Sequence, residues 1–151
     1  MREQRPEAST RLATGTDAIA SLKAVASDGD SLDDLLLRVA AGAVDAVPNV
    51  DAVSITVLDG PVARTVAYTD ERVLPLDAEQ YASRLGPCLE ALHTRRAVRV
   101  AMACEEQRWP EFVAAARAEG VRATLSIPLI VASTAGQNDE LIGSLNAYSR
   151  T

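Results

Sequence analysis

Three segments of this chain alternate between aliphatic and small polar side chains, and that alternation limits the folds open to it. In 52–58, Val53, Ile55 and Val57 alternate with Ser54 and Thr56. In 123–131, Leu125, Ile127 and Leu129 alternate with Thr124 and Ser126. In 141–149, Leu141, Gly143, Leu145 and Ala147 alternate with Ile142, Ser144, Asn146 and Tyr148. A period of two sends successive side chains to opposite sides of a strand, so each segment predicts a sheet strand with one greasy and one small polar face. Exposed strand faces usually carry Lys, Glu or Arg, and these carry almost none. The polar faces are therefore expected to turn inward.

The remaining elements fix how such strands are covered. Leu32, Leu35, Leu36, Val39, Ala43, Val44 and Val47 recur at helical spacing. Ser31 and Asp34 form a capping-box-like start and Pro48 ends the run. A shorter helix is expected from Ile19, Leu22, Val25 and Ala26, capped by Thr16 or Asp17 and broken by Ser27–Asp30. Asp59-Gly60 signals a hairpin into a strand over 62–68, with Val62, Val66 and Tyr68 sharing one face. Between 70 and 120 the chain is irregular. Short helices are expected at Pro75 with 78–83, at Pro87–Thr94 and at Pro110–Glu119, the last with Phe112, Val113 and Ala116 inward and Gly120 as its stop. A short strand is expected at 97–100. Pro128 implies an edge or an irregularity in its strand.

Tight turns between strands imply antiparallel pairing, and helices grouped at the start must cover one sheet face. The expected class is α+β: a central antiparallel sheet of five to six strands, helices on one face, an irregular helical insert on the other. Residues 1–15 are polar and aperiodic and read as a disordered arm, leaving 16–151 as a single domain. A concavity beneath the insert, lined by Ser54, Thr56, Thr124, Ser126, Ser144 and Asn146 and roofed by Tyr81, Trp109 and Phe112, would suit a small ligand.

Composition narrows the function. With 151 residues, 48% hydrophobic and 24% charged, the chain is long enough to bury roughly 70% of its unfolded surface. The net charge is −6 with no basic stripe, which argues against direct nucleic-acid binding. No apolar run is long enough to span a membrane and no export signal is visible at 1–16. Two cysteines and one histidine cannot complete the usual four-ligand zinc site without carboxylates, and a cytoplasmic setting fits.

Read together, the segments LDDLLLRVAAGAVDAVPNVDAVSITVLD, GPCLEAL at 86–92, ATLSIPLIV and ELIGSLNAYS resemble, in this order and spacing, a GAF domain over about residues 17–150. GPCLEAL is similar to the GAF domains of actinobacterial sensor proteins, many of which precede an RNA-binding ANTAR output domain. The resemblance implies a GAF/PAS-like fold with a six-stranded sheet between helices, pairing into a homodimer through the terminal helices, and a small-molecule pocket opposite them. It also implies a sensory role passed on to a downstream output domain. Family members often continue into a long helix, so a chain stopping at Thr151 reads as a fragment of a longer sensor. Asn146 is followed by Ala147, not by the Lys of the cyclic-nucleotide subset. Cys88 is followed by Leu89 and Cys104 by Glu105, not by the His of bilin-attaching members. No cofactor is expected.

Single residues allow other chemistry. Cys88 is expected at a helix N-terminus, which lowers a thiol pKa, and Cys104 lies beside Glu105 and Glu106, which raises it. A redox pair would need α-carbons within about 7 Å. Cys88 also reads as a buried small hydrophobe. Resemblance to free methionine sulfoxide reductases of this fold would make the pair enzymatic, but their closely spaced cysteine pair is missing, so no catalytic residue is assigned. His93 would be a haem ligand only if buried, and is expected on the surface. Arg95, Arg96 and Arg99 form the one basic cluster, expected to be solvated. Three functions compete: a ligand-binding sensor with Ser54, Thr56, Tyr81, Cys88, Trp109, Phe112, Ser126, Ser144 and Asn146 around its pocket, a ligand-free dimerisation or partner-docking module, and the thiol enzyme.

Overall fold

The computed structural model describes residues 31–104, 107–132 and 139–151. The expected arm at 1–15 and the expected helix over 17–26 lie outside the described residues. The first described element is helix α1 (Leu32–Ala46), where Ser31 Oγ accepts the Asp34 N–H at 3.2 Å. Strands β1 (Ala52–Asp59) and β2 (Val62–Tyr68) follow. A 3-10 turn at Glu71–Val73 leads into α2 (Leu74–Ser83) and α3 (Pro87–Thr94). Then come β3 (Val98–Ala101), α4 (Pro110–Ala118), β4 (Ala123–Val131) and β5 (Glu140–Ser149).

The five strands form one antiparallel sheet in the order β2-β1-β5-β4-β3. Ser54 pairs with Asn146 and Thr56 with Ser144 across β1 and β5, while Asn146 pairs with Ser126 across β5 and β4. Cross-strand partners share a face, so these registers draw the small polar residues of three strands into one continuous patch.

On the opposite face α1 lays Leu36 and Ala40 over Val53, Ile55, Ala67 and Ala147. These residues are excluded from water, and the side chains of Val57, Leu129 and Leu145 pack against their margin. α2, α3 and α4 cover the polar side. A second apolar cluster holds the far half of this insert: Val73, Leu76, Ala91, Val100, Trp109, Phe112, Val113 and Val121 with Ala52 and Tyr148 of the sheet.

Two local expectations are corrected. The hairpin loop is Gly60-Pro61, because β1 runs through Asp59 to pair with Val62. Val62, Val66 and Tyr68 do not share a face. The β1–β2 register jumps from Ile55↔Ala67 to Thr56↔Thr65, so Val66 packs with Ala67 on the helix side while Tyr68 stands opposite Ser54. Pro128 meets its expectation: it lies in β4 beyond the last residue paired to β3, so that side of the strand has no ladder partner among the described residues, and the β4–β5 register shifts just after it, between Leu129 and Ile130.

Arg150 closes the molecule just after β5. Its backbone N–H donates to Asp51 Oδ2 at 2.6 Å, its Nε to the Glu119 carbonyl at 3.3 Å, and its Nη2 to Asp70 Oδ2 at 3.5 Å. Asp70 also takes the Arg72 guanidinium, which holds its carboxyl down at about 2.

Candidate functional site

Polar side chains meet where the sheet touches α2 and α3. Asp77, Gln80 and Tyr81 sit three and four residues apart on α2, so one face of that helix presents all three downward. Asn146 is the centre of the sheet side. Its Oδ1 accepts from Ser144 Oγ at 3.0 Å, and its Nδ2 donates to Ser54 Oγ at 3.3 Å and Thr56 Oγ1 at 3.0 Å. Thr56 Oγ1 lies 2.6 Å from the Tyr81 hydroxyl, which lies 2.9 Å from Thr65 Oγ1. Thr65 donates to Asp77 Oδ2 at 2.7 Å, and the Tyr148 hydroxyl donates to Asp77 Oδ1.

Ser54, Thr56, Asp77, Gln80, Ser144 and Asn146 are each no more than 1% exposed, so this is a polar layer inside the protein and not a wetted sheet face. Burying polar groups is costly unless each is hydrogen-bonded, and the layer meets that condition through its own members. Thr124 is the exception: its hydroxyl is buried without a partner among the described residues.

Asp77 is altered by this setting. Burial raises its pKa, and the hydrogen bonds from Tyr148, Thr65 and Ser54 oppose that rise. Tyr148 is raised well above its ordinary value by burial and by the Asp77 charge. Tyr81 is pushed up for the same two reasons.

Cys88 decides between two sequence expectations: it is the buried small side chain, and its thiol pKa is not lowered. It does begin a helix, and its backbone N–H is capped by Gln80 Oε1 at 2.8 Å. Its thiol, however, is buried against Thr56 Oγ1 at 3.5 Å, and burial pushes it up to about 11. Desolvation outweighs the helix terminus, so no thiolate is favoured. Cys104 is exposed and both cysteines are free. The Gln80 cap depends on Gly86, whose φ is +151°: a Cβ there would stand 2.3 Å from Gln80 Oε1.

The sequence-selected residues thus divide. Ser54, Thr56, Tyr81, Cys88, Ser144 and Asn146 come together, with Ser126 beside Asn146 on the same face. Trp109 and Phe112 sit apart in the apolar cluster under α4 and touch none of these hydrogen bonds. Arg108 stacks on the Trp109 ring at 4.2 Å. His93 is exposed on the last turn of α3, so no enclosed metal or haem site surrounds it, and Arg95, Arg96 and Arg99 are exposed as expected. Asp77, Gln80, Thr65 and Tyr148 were not selected as site residues from the sequence. The i, i+3, i+4 spacing of Asp77, Gln80 and Tyr81 is the signal that exposes the first two.

Outside the layer lies a cleft of about 450 Å³, lined by Pro61, Val62, Ala63, Tyr81, Arg84 and Leu89. Tyr81 belongs to both: it lines the cleft and its hydroxyl enters the layer. Among the described residues no cluster of three His, Cys, Asp or Glu could hold a metal ion, and no helix is long and apolar enough to cross a membrane.

The chain matches no curated protein. Among solved structures it is similar to the GAF domain region of a Geobacter sulfurreducens PCA protein, with a TM-score of 0.56 at 15% identity over 89% of this chain and 80% of that one. A domain from Sinorhizobium meliloti 1021, described as part of a two-component sensor histidine kinase, gives 0.53 at 18% identity over 78% and 72%. The phycoerythrobilin-bound GAF domain of a cyanobacterial phytochrome gives 0.55 at 17% identity over 91% and 81%. At these identities the likeness is one of fold. The family model of the GAF domain matches residues 31–151, and by that match the chain belongs to the GAF domain family.

Proposed function

We propose that this GAF domain is a sensory module whose polar layer receives a small polar molecule and biases the elements that flank it. One observation carries the reading. Five buried side chains that can hydrogen-bond, Ser54, Thr56, Ser144, Asn146 and Cys88, converge with the half-buried Tyr81 from two strands and two helices, where an ordinary core would be aliphatic. A purely structural layer gains little from such a network, because hydrophobic replacements of like volume are often as stable. A receptor needs it, to supply oriented donors and acceptors. The cleft beside Tyr81 gives a ligand a way in.

No enzymatic step is assigned. The Cys88 thiol, pushed up to about 11, is a poor nucleophile at neutral pH, and that weighs against a thiol reductase. The output would pass through α1, which packs on the reverse side of β1 and β2, the strands that carry Thr56 and Thr65. Its exposed Leu32 and Leu37 suit pairing with a second copy, in keeping with a homodimer that feeds an output domain.

A second reading, a docking or dimerisation module without a ligand, is favoured by one feature: apart from Thr124, the layer satisfies itself. Thermal shift against nucleosides, amino acids and short carboxylic acids separates the two. A sensor gains several degrees with one compound class at about 100 times its Kd. A flat response across the panel, with concentration-dependent dimerisation, supports docking instead.

A further inference from the structure

The bonds around the Tyr81 hydroxyl have a fixed direction, set by the groups at either end. Asn146 Nδ2 donates to Thr56 Oγ1 at 3.0 Å, and the Cys88 thiol donates to the same oxygen at 3.5 Å. Both lone pairs of Thr56 Oγ1 are then occupied, so its own proton points to the Tyr81 oxygen at 2.6 Å. At the other end Thr65 spends its proton on Asp77 Oδ2 at 2.7 Å, so the Tyr81 proton goes to Thr65 Oγ1 at 2.9 Å. Reversing the chain would bring a third donor onto Thr56. The position between the two threonines therefore calls for a group that accepts once and donates once, which a hydroxyl does and a carboxylate or a methyl does not.

We infer that this position is a hydroxyl slot for an uncharged ring alcohol of phenol size, with Tyr81 as its built-in occupant. The incoming ring takes the space at the cleft wall that the Tyr81 ring now fills, and Tyr81 turns outward toward the roughly 450 Å³ cleft. Pro61, Val62, Ala63 and Leu89 give that cleft apolar walls suited to a ring, beside one charged lining residue, Arg84. A carboxylate at the slot would need both threonine protons, stripping Asp77 of its Thr65 donor and adding charge beside a buried acid. An aryl methyl would leave the Thr56 proton unmatched inside the protein. The inference rests on the polar layer being the ligand site.

The test removes the occupant and offers replacements. Tyr81→Ala is titrated with p-cresol, toluene and 4-methylbenzoate at pH 7.5, by calorimetry and thermal shift. The expected result is p-cresol binding at least tenfold tighter than either analogue, and that preference falling below threefold when Thr65→Val is added. Toluene or 4-methylbenzoate binding as tightly as p-cresol, or no p-cresol binding, overturns the slot. If Tyr81→Ala does not fold alone, recovery of its helical circular dichroism is the readout and the same ranking applies. A flat metabolite panel on the unaltered chain would count against the sensory reading while leaving the cresol ranking intact, and a flat cresol ranking would do the reverse.

Discussion

The two faces of the sheet solve the same packing problem in opposite ways. Beneath α1, Leu36, Ala40, Val53, Ile55, Ala67 and Ala147 exclude water through shape and volume alone. Beneath α2 and α3, the equivalent space is filled by Ser54, Thr56, Ser144 and Asn146, which exclude water while keeping every hydrogen bond directional. Dispersion forces tolerate a change of shape if volume is kept. A polar network does not, because deleting one member leaves its partners buried and unpaired. The apolar face is thus a support, and the polar face is where a small chemical change is felt.

The largest effect is expected where the faces depend on one backbone contact. Gly143 lies so close to β1 that an added Cβ would stand 1.9 Å from the Thr56 carbonyl oxygen. Gly143→Val must part β1 from β5 and dismantle both faces together, leaving no cooperative unfolding transition in circular dichroism. Next, Leu36→Ala empties volume under α1 and should cost about 2–4 kcal/mol in urea denaturation. The sharper comparison is between two replacements that keep the number of side-chain heavy atoms. Leu36→Met should cost under about 1.5 kcal/mol, whereas Asn146→Leu should cost about 2–3 kcal/mol, since Ser144, Ser54 and Thr56 lose their common partner. Equal costs would erase the distinction between the faces.

Asp77 gives the smallest but most diagnostic difference. Its pKa is raised in the folded protein above the ordinary 3.8, mainly by burial. The folded state therefore holds this proton longer than the unfolded state. The stability it contributes is complete below about pH 3.8 and is lost as pH climbs through the raised value. Melting temperatures taken from pH 4 upward should carry this decline in the unaltered chain, and Asp77→Asn should flatten it. An identical pH profile for the two proteins would place the Asp77 carboxyl in water.

What could be read from the residues follows the same division. The helix over 32–46 and the strands at 52–59, 123–131 and 140–149 were legible, because burial on one side writes a period into the chain. That the hydroxyl-bearing side turns toward the insert was legible too, from the lack of long charged side chains on it. Thr65 was not. Its place opposite Thr56 depends on the register jump after Ile55, and a jump of that kind is decided between strands, not within one. Trp109 and Phe112 looked like ligand walls because large aromatics suit that role. The spacing of Phe112, Val113 and Ala116 turned that side of α4 inward, but that it meets Val73 and Leu76 and not the polar layer is a tertiary fact the spacing does not carry.

Arg150 has a mechanical consequence. By gripping the start of β1, the turn after β2 and the end of α4 at once, it pins the last strand to three separate parts of the chain. A tug on the carboxyl end would load those anchors before β5 could begin to peel from its neighbours. Traction at that terminus would travel into the body of the protein as a whole, so the end of the chain behaves as a rivet and not as a loose thread.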